Sequence, residues 1–163
     1  MATKVVSNTG PIIHLTEIGL MRVFDIFKQI IIPEEVRNEL RRNKIQIPSD
    51  VKVINLENEW KDLVKVLTNQ HDLDLGEAQA IALALQEKTD YFFTDDLEAR
   101  EVSRGYHVKV HGTVGLILRA FREKVIDKKE AVEKIKELQS KSSLFITKDL
   151  IEEAVKAIED FVE

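Results

Sequence analysis

The sequence predicts an α/β fold, a three-layer α/β/α sandwich around a parallel sheet, and three observations carry that reading. Short apolar runs rich in β-branched or aromatic residues recur along the chain: Val5-Val6, Gln29-Ile30-Ile31-Ile32 and Tyr91-Phe92-Phe93. Each is followed by a segment whose apolar residues repeat at helical spacing, and strands that alternate with helices pair in parallel and bury both faces beneath them. The third observation is size, since 163 residues with 44% hydrophobic and 33% charged side chains suit one core. The expectation is a single domain over 1–163, with a core at about 1–123 and a C-terminal helical extension at about 124–163.

Each element has a local cause. Val5-Val6 runs into Ser7-Asn8-Thr9-Gly10-Pro11, a turn, and residues 12–18 then repeat apolar side chains as a helix does, with Pro11 suited to the first turn. Gly19 breaks that helix, and a short helix over 20–27 leads into the second strand at 29–32. Pro33 opens a helix over 34–42. Residues 51–56 alternate moderately and predict a third strand, residues 60–67 an amphipathic helix, and residues 68–75 a polar loop. Ala and Leu dominate residues 76–88, which predicts a helix packed on most sides near the centre of the fold. A strand at 90–94, a helix at 97–104, a short strand at 108–110 and a helix at 114–123 complete the alternation. Two charged amphipathic helices, 128–138 and 148–162, close the chain, with apolar stripes that could finish the core or meet a second copy in a homodimer.

Charge and composition narrow the function. Lys and Arg number 24 against 29 Asp and Glu, a net charge of -5, which argues against a generic basic nucleic-acid coat. It leaves room for nucleic acid at a cation-carrying site, because a bound cation inverts the local sign of an acidic pocket. The absence of cysteine excludes disulfides, thiolate metal sites and cysteine nucleophiles. No run approaches the ~18 apolar residues that span a bilayer, and the first residues carry no leader pattern, so a cytoplasmic protein with no membrane association is expected.

In open parallel sheets, ligands gather outside the carboxyl ends of the strands. Asn8 and Thr9 follow the first strand, Asp95 and Asp96 follow Phe92-Phe93, and Gly112-Thr113 follows the last. Glu77 stands in the first turn of the Ala-rich helix, and Glu39 sits between Val36 and Leu40, beside its helix's buried stripe. Ordinary structural roles compete for all of these. Asp74-x-x-Glu77 and Asp95-x-x-Glu98 both resemble capping boxes, and Asn8 alone fits a turn or a cap. Glu39 needs a partner if buried, whether a neighbouring Arg, a backbone amide or a metal. Adjacent Asp95 and Asp96 exceed what one cap requires. Clustered carboxylates without cysteine or a helical histidine pair favour a hard cation, Mg²⁺ or Mn²⁺. The four histidines bring no ligand pair together, and neither a Gly-x-Ser-x-Gly elbow nor a phosphate-cradling glycine loop is present.

Taken in order, Val5 through Ile13, Val36 through Leu40, Leu73-Asp74-Leu75-Gly76-Glu77-Ala78-Gln79-Ala80-Ile81-Ala82, Thr94-Asp95-Asp96 and Gly112-Thr113-Val114-Gly115 resemble the successive motifs of PIN domains, in a branch similar to VapC-type toxins. The resemblance spans nearly the whole chain. It implies acids that converge at one end of the sheet, hold one or two Mg²⁺ or Mn²⁺ ions and cleave RNA. By the motif, the metal and catalytic positions fall on Glu39, Glu77 and Asp96, with Asp95 as a close alternative, while Asp74 and Thr94 stand at the rim or behind the ligands. The family's usual first aspartate is Asn8 here, which can ligate through a carbonyl oxygen but brings no charge. Thr9, Arg37 and Arg100, with Arg41 and Arg104, are the expected contacts to the phosphate backbone. Two outcomes stay open: a metal-dependent endoribonuclease, the toxin of a pair with an antitoxin partner, or a catalytically weakened nucleic-acid-binding or scaffold module.

Overall fold

The computed structural model describes residues 4–162. Five strands, β1 (Lys4–Ser7), β2 (Gln29–Ile32), β3 (Val51–Val53), β4 (Tyr91–Phe93) and β5 (Val110–His111), form one all-parallel sheet in the order β3-β2-β1-β4-β5. Eight α-helices accompany them among the described residues: α1 (Thr9–Glu17), α2 (Glu34–Arg42), α3 (Asn58–Gln70), α4 (Leu75–Gln86), α5 (Leu97–Gly105), α6 (Thr113–Arg122), α7 (Lys128–Lys141) and α8 (Lys148–Glu159). This is the expected α/β/α sandwich.

The period of two along each strand sorts the core into layers. Val5, Ile30, Ile32 and Phe93 face one way, into a cluster with Ile12, Leu116, Ile135 and Ile158, while Val6, Ile31 and Phe92 face the other, against Val64, Ile81 and Ala99. The inner strands β1, β2 and β4 are buried on both sides, which is why they read as continuous apolar runs, whereas the edge strands β3 and β5 are only partly buried. Ala131, Ile135 and Leu138 of α7 and Ile151, Ala154 and Ile158 of α8 all lie in the first cluster, so both terminal helices finish the core.

Local expectations and structure differ at a few places, each for a physical reason. The helix expected from residue 12 begins at Thr9, because Asn8 caps it. Residues 20–27 hold only a 3₁₀ helix, Met21–Ile26, after Gly19 turns the chain at φ +68°. The third strand ends at Val53, and α3 continues through Gln70, so the polar loop shrinks to residues 71–74. The buried face of α3, Val64 and Leu67, packs on α4, and that packing carries the helix through polar residues. α4 is buried along Gly76, Ala78 and Ala80 through Ala84, where small side chains let the neighbouring elements close in.

β1 has β2 on one side and β4 on the other, so the strand order reverses there. That switch point lies at the carboxyl ends of β1 and β4, the default ligand position in such sheets. No helix among the described residues is long and apolar enough to cross a membrane.

Candidate active site

The ends of β1 and β4 are stitched together by neutral groups. Asn8 Oδ1 accepts from Thr9 N at 2.9 Å and caps α1, while Asn8 Nδ2 donates to Thr94 Oγ1 at 3.3 Å. The same Thr94 oxygen accepts from Asp96 N at 3.2 Å, and Thr94 is fully buried. Both polar atoms of the Asn8 amide are thus engaged by the protein.

Around this seam stand the acids. Glu39 reaches in from the second turn of α2, where Thr9 Oγ1 donates to its Oε2. Glu77 and Asp74 form a reciprocal capping box at the start of α4: Glu77 N donates to Asp74 Oδ1 at 2.8 Å, and Asp74 N donates to Glu77 Oε2 at 3.1 Å. Asp96 caps α5, accepting from Ala99 N at 2.7 Å, so the cap expected from Asp95 falls one residue later. Capping and chemistry are not exclusive here. Glu39, Glu77 and Asp96 each commit one oxygen to the protein, and the other accepts no hydrogen bond among the described residues.

The electrostatics follow from this crowding. Burial pushes the Glu77 carboxyl up to about 7, helped by Asp74, Asp96 and Glu39 and opposed by the Asp74 backbone hydrogen bond. Burial also raises Glu39, with Asp74 and Glu35 adding to the shift and the Thr9 hydrogen bond and Arg42 opposing it. Burial, and then repulsion from neighbouring acids, thus opposes ionisation of both Glu39 and Glu77.

Asp95 behaves differently. It turns toward α1 and α6, where Oδ1 accepts from Thr113 N at 2.7 Å and Oδ2 accepts from Thr113 Oγ1 at 2.6 Å and pairs with His14 Nδ1 at 2.7 Å. Burial alone would raise its pKa, but the hydrogen bonds from His14 and Thr113 outweigh it and hold the carboxyl below its usual value.

The arginines divide. Arg100 lines a groove of about 440 Å³ on the Asp95 side, with Leu97 and His111. Arg37 lies 3.6 Å from Glu34 with a buried, unpartnered Nε, and Arg41 and Arg104 are exposed on their helices. Arg42, one of the neighbouring arginines expected as a partner for Glu39, pairs with Glu35 at 2.8 Å and tempers the Glu39 charge through space. The sequence carries no signal for the pairing of Asp95 with His14 and Thr113, which lie far from it in the chain, or for the role of Gly76.

A family model described as DUF3368, PIN domain, matches residues 4–160. The chain belongs to the PIN-domain family. PIN domains are nuclease-type folds that typically use divalent metals. No curated protein matches the chain. Among solved structures it is similar to a PilT N-terminus domain protein from the hyperthermophilic archaeon Sulfolobus solfataricus P2, with 13% identity over 70% of this chain and 90% of that one and a TM-score of 0.47.

The donors of this PIN domain fit a hard divalent cation by chemistry: they are carboxylate oxygens, partly desolvated and repelling one another. Their rotamers do not converge on one point, since no group of three or more His, Asp or Glu side chains among the described residues could hold an ion as it stands. Glu39, Glu77 and Asp96 are the residues that would hold it.

Gly76 makes the arrangement possible. The Glu39 carboxylate lies against its Cα, where a Cβ would overlap Oε1. Gly76→Ala is expected to fold with stability within about 1 kcal/mol of the native chain, because Ala favours helix and the obstructing atom ends a flexible side chain. Displacing the Glu39 carboxylate should lower Mn²⁺ affinity at least about tenfold by isothermal titration. An unchanged affinity would remove Glu39 from the site.

Proposed function

We propose that this PIN domain is a metal-dependent endoribonuclease that hydrolyses RNA phosphodiesters at the carboxyl ends of β1 and β4. The observation that carries the proposal is that Glu39, Glu77 and Asp96 stand around the β1–β4 seam, each with one carboxylate oxygen that accepts no hydrogen bond among the described residues, while burial and then neighbouring acids raise Glu39 and Glu77. Such a cluster is destabilising on its own and becomes favourable when a divalent cation neutralises it.

Glu39, Glu77 and Asp96 would hold the ion, which when bound polarises the phosphoryl oxygen and supplies a water of lowered pKa. The chain's own residues do the positioning. Thr9 holds Glu39 through its hydroxyl, so in this state that hydroxyl serves the acid before any phosphate. Asp74 fixes the Glu77 rotamer through the capping box, and Thr94 locks the Asp96 backbone to Asn8. The toxin role, with a masking antitoxin, rests on the family resemblance, and a neighbouring gene for a small DNA-binding protein would support it.

One observation favours a weakened site. Asn8 contributes no charge, and both of its amide atoms are spent on Thr9 and Thr94. Asn8→Asp keeps the shape, and the Thr94 hydroxyl can turn to donate to the new carboxylate. With Mn²⁺ and a mixed set of single-stranded and structured RNAs, Asn8→Asp should cut at least about tenfold faster than the native chain. If only the variant cuts, the native protein is a binding module. Should neither bind Mn²⁺ nor cut RNA while both fold, the ribonuclease reading is wrong.

A further inference from the structure

A cavity of about 410 Å³ opens on the side of the switch point toward β2 and β3. Pro33 directly follows β2 and Leu56 follows β3, and together with Val64 of α3 they give the cavity an apolar base. Leu75, the first residue of α4, lies along it with 47% of its surface exposed. Lys61 and Lys65 stand one helical turn apart on α3 and line the same space, and neither joins an ion pair among the described residues.

Two further features give the cavity direction. Gln79 Oε1 accepts from Glu35 N at 3.0 Å, which fixes the side-chain amide and leaves its NH₂ as the remaining donor at the cavity wall. Glu34 also lines the space, but its carboxylate lies 3.6 Å from Arg37. The cavity and the acid cluster meet in the first turn of α4, where Leu75 lines the one, Gly76 carries the Glu39 carboxylate, and Glu77 belongs to the other.

We infer that this cavity receives one unpaired nucleobase of a single-stranded RNA, with Lys61 and Lys65 taking the adjoining phosphates and Gln79 donating to the base edge. The inference deepens the ribonuclease reading and rests on it for the choice of polymer. An apolar base, one fixed donor and two unpaired ammonium groups match a flat apolar ring with a polar edge and a neighbouring phosphate. A space of about 410 Å³ falls within the roughly 300–1,000 Å³ of small-ligand sites. Sequence-reading of RNA relies on splayed single-stranded bases seated in this way. In a chain of net charge -5, the lysine pair also supplies the local cations that a polyanion needs beside an acidic site.

The test is an abasic residue walked along a labelled single-stranded oligoribonucleotide, with binding to the full chain read by fluorescence anisotropy in Ca²⁺. One position should weaken binding about tenfold when its base is removed. Leu75→Gln should flatten that position dependence. Lys61→Gln with Lys65→Gln should weaken binding at every position and lower the salt slope by about 0.7 for each phosphate that is no longer neutralised. All three side chains are exposed, so thermal midpoints should match the native chain's. A flat abasic scan, or a scan that Leu75→Gln leaves unchanged, overturns the inference even if the protein cuts RNA. A position-dependent scan without Mn²⁺-dependent cleavage would overturn the ribonuclease reading and keep the base site, whereas no RNA binding at all would overturn both.

Discussion

Glu77→Gln will lower metal-dependent RNA cleavage by at least about tenfold to a hundredfold while making the metal-free protein more stable above neutral pH. The carboxyl is pushed from 4.5 to about 7 in the fold, chiefly by burial and then by Asp74, Asp96 and Glu39. Between those values the native protein holds a proton that the unfolded chain has released. Stability from this group is therefore fully present below pH 4.5 and is lost as pH rises through about 7. Glutamine carries no charge, yet its amide oxygen can still accept from Asp74 N, so the capping box survives. After discounting for solvent at a half-buried group, the gain at about pH 8 is on the order of 1–2 kcal/mol. Each kcal/mol raises the thermal midpoint by about 2–4 °C in a domain of this size. Below about pH 4.5 the two proteins should melt alike. Adding Mn²⁺ should stabilise the native chain more than the variant. Equal midpoints at both pH values would mean that Glu77 is not crowded as the structure has it.

Asp95→Ala is expected to destabilise the fold by about 2–4 kcal/mol while leaving Mn²⁺ affinity close to that of the native chain. This carboxylate ties α1 to α6: it accepts from Thr113 N and Oγ1 and pairs with His14, and truncation strands all three. Its carboxyl is held below the usual 3.8, because the hydrogen bonds from His14 and Thr113 outweigh the burial that would raise it. The stability it contributes is present above pH 3.8 and disappears as pH falls through the depressed value, so the gap between native and variant should close in acid. Urea unfolding across that range measures the gap. A variant as stable as the native chain would overturn the bracing role, and one that loses Mn²⁺ binding without losing stability would make Asp95 a ligand.

The contrast between Asp95 and Asp96 marks how far the sequence could be read. That the pair exceeds one cap's needs is visible in Thr94-Asp95-Asp96, but which acid caps α5 depends on where β4 stops and how Thr94 holds the Asp96 backbone. The Asp74–Glu77 capping box was legible because both partners lie within one turn. His14 gave no signal, since its partner comes 81 residues later. Residues 68–70 looked like a loop because polar composition says nothing of the apolar face that Val64 and Leu67 bury against α4.

The sequence by itself determined the order of strands and helices and the bounds of β2 and α2, and through its motif resemblance it nominated Glu39, Glu77 and Asp96 as candidate acids with Asn8 in the first place. Those features are written in local periodicity, caps and motif spacing. Only the tertiary structure decided that Gly76 receives the Glu39 carboxylate, that Thr9 and Thr94 brace the site, and that Asp95 points away to His14 and Thr113. It also decided that both terminal helices close the core. The physical reason is the same in each case: desolvation, repulsion and hydrogen-bond pairing depend on which side chains packing brings together, and packing joins residues that the chain keeps far apart.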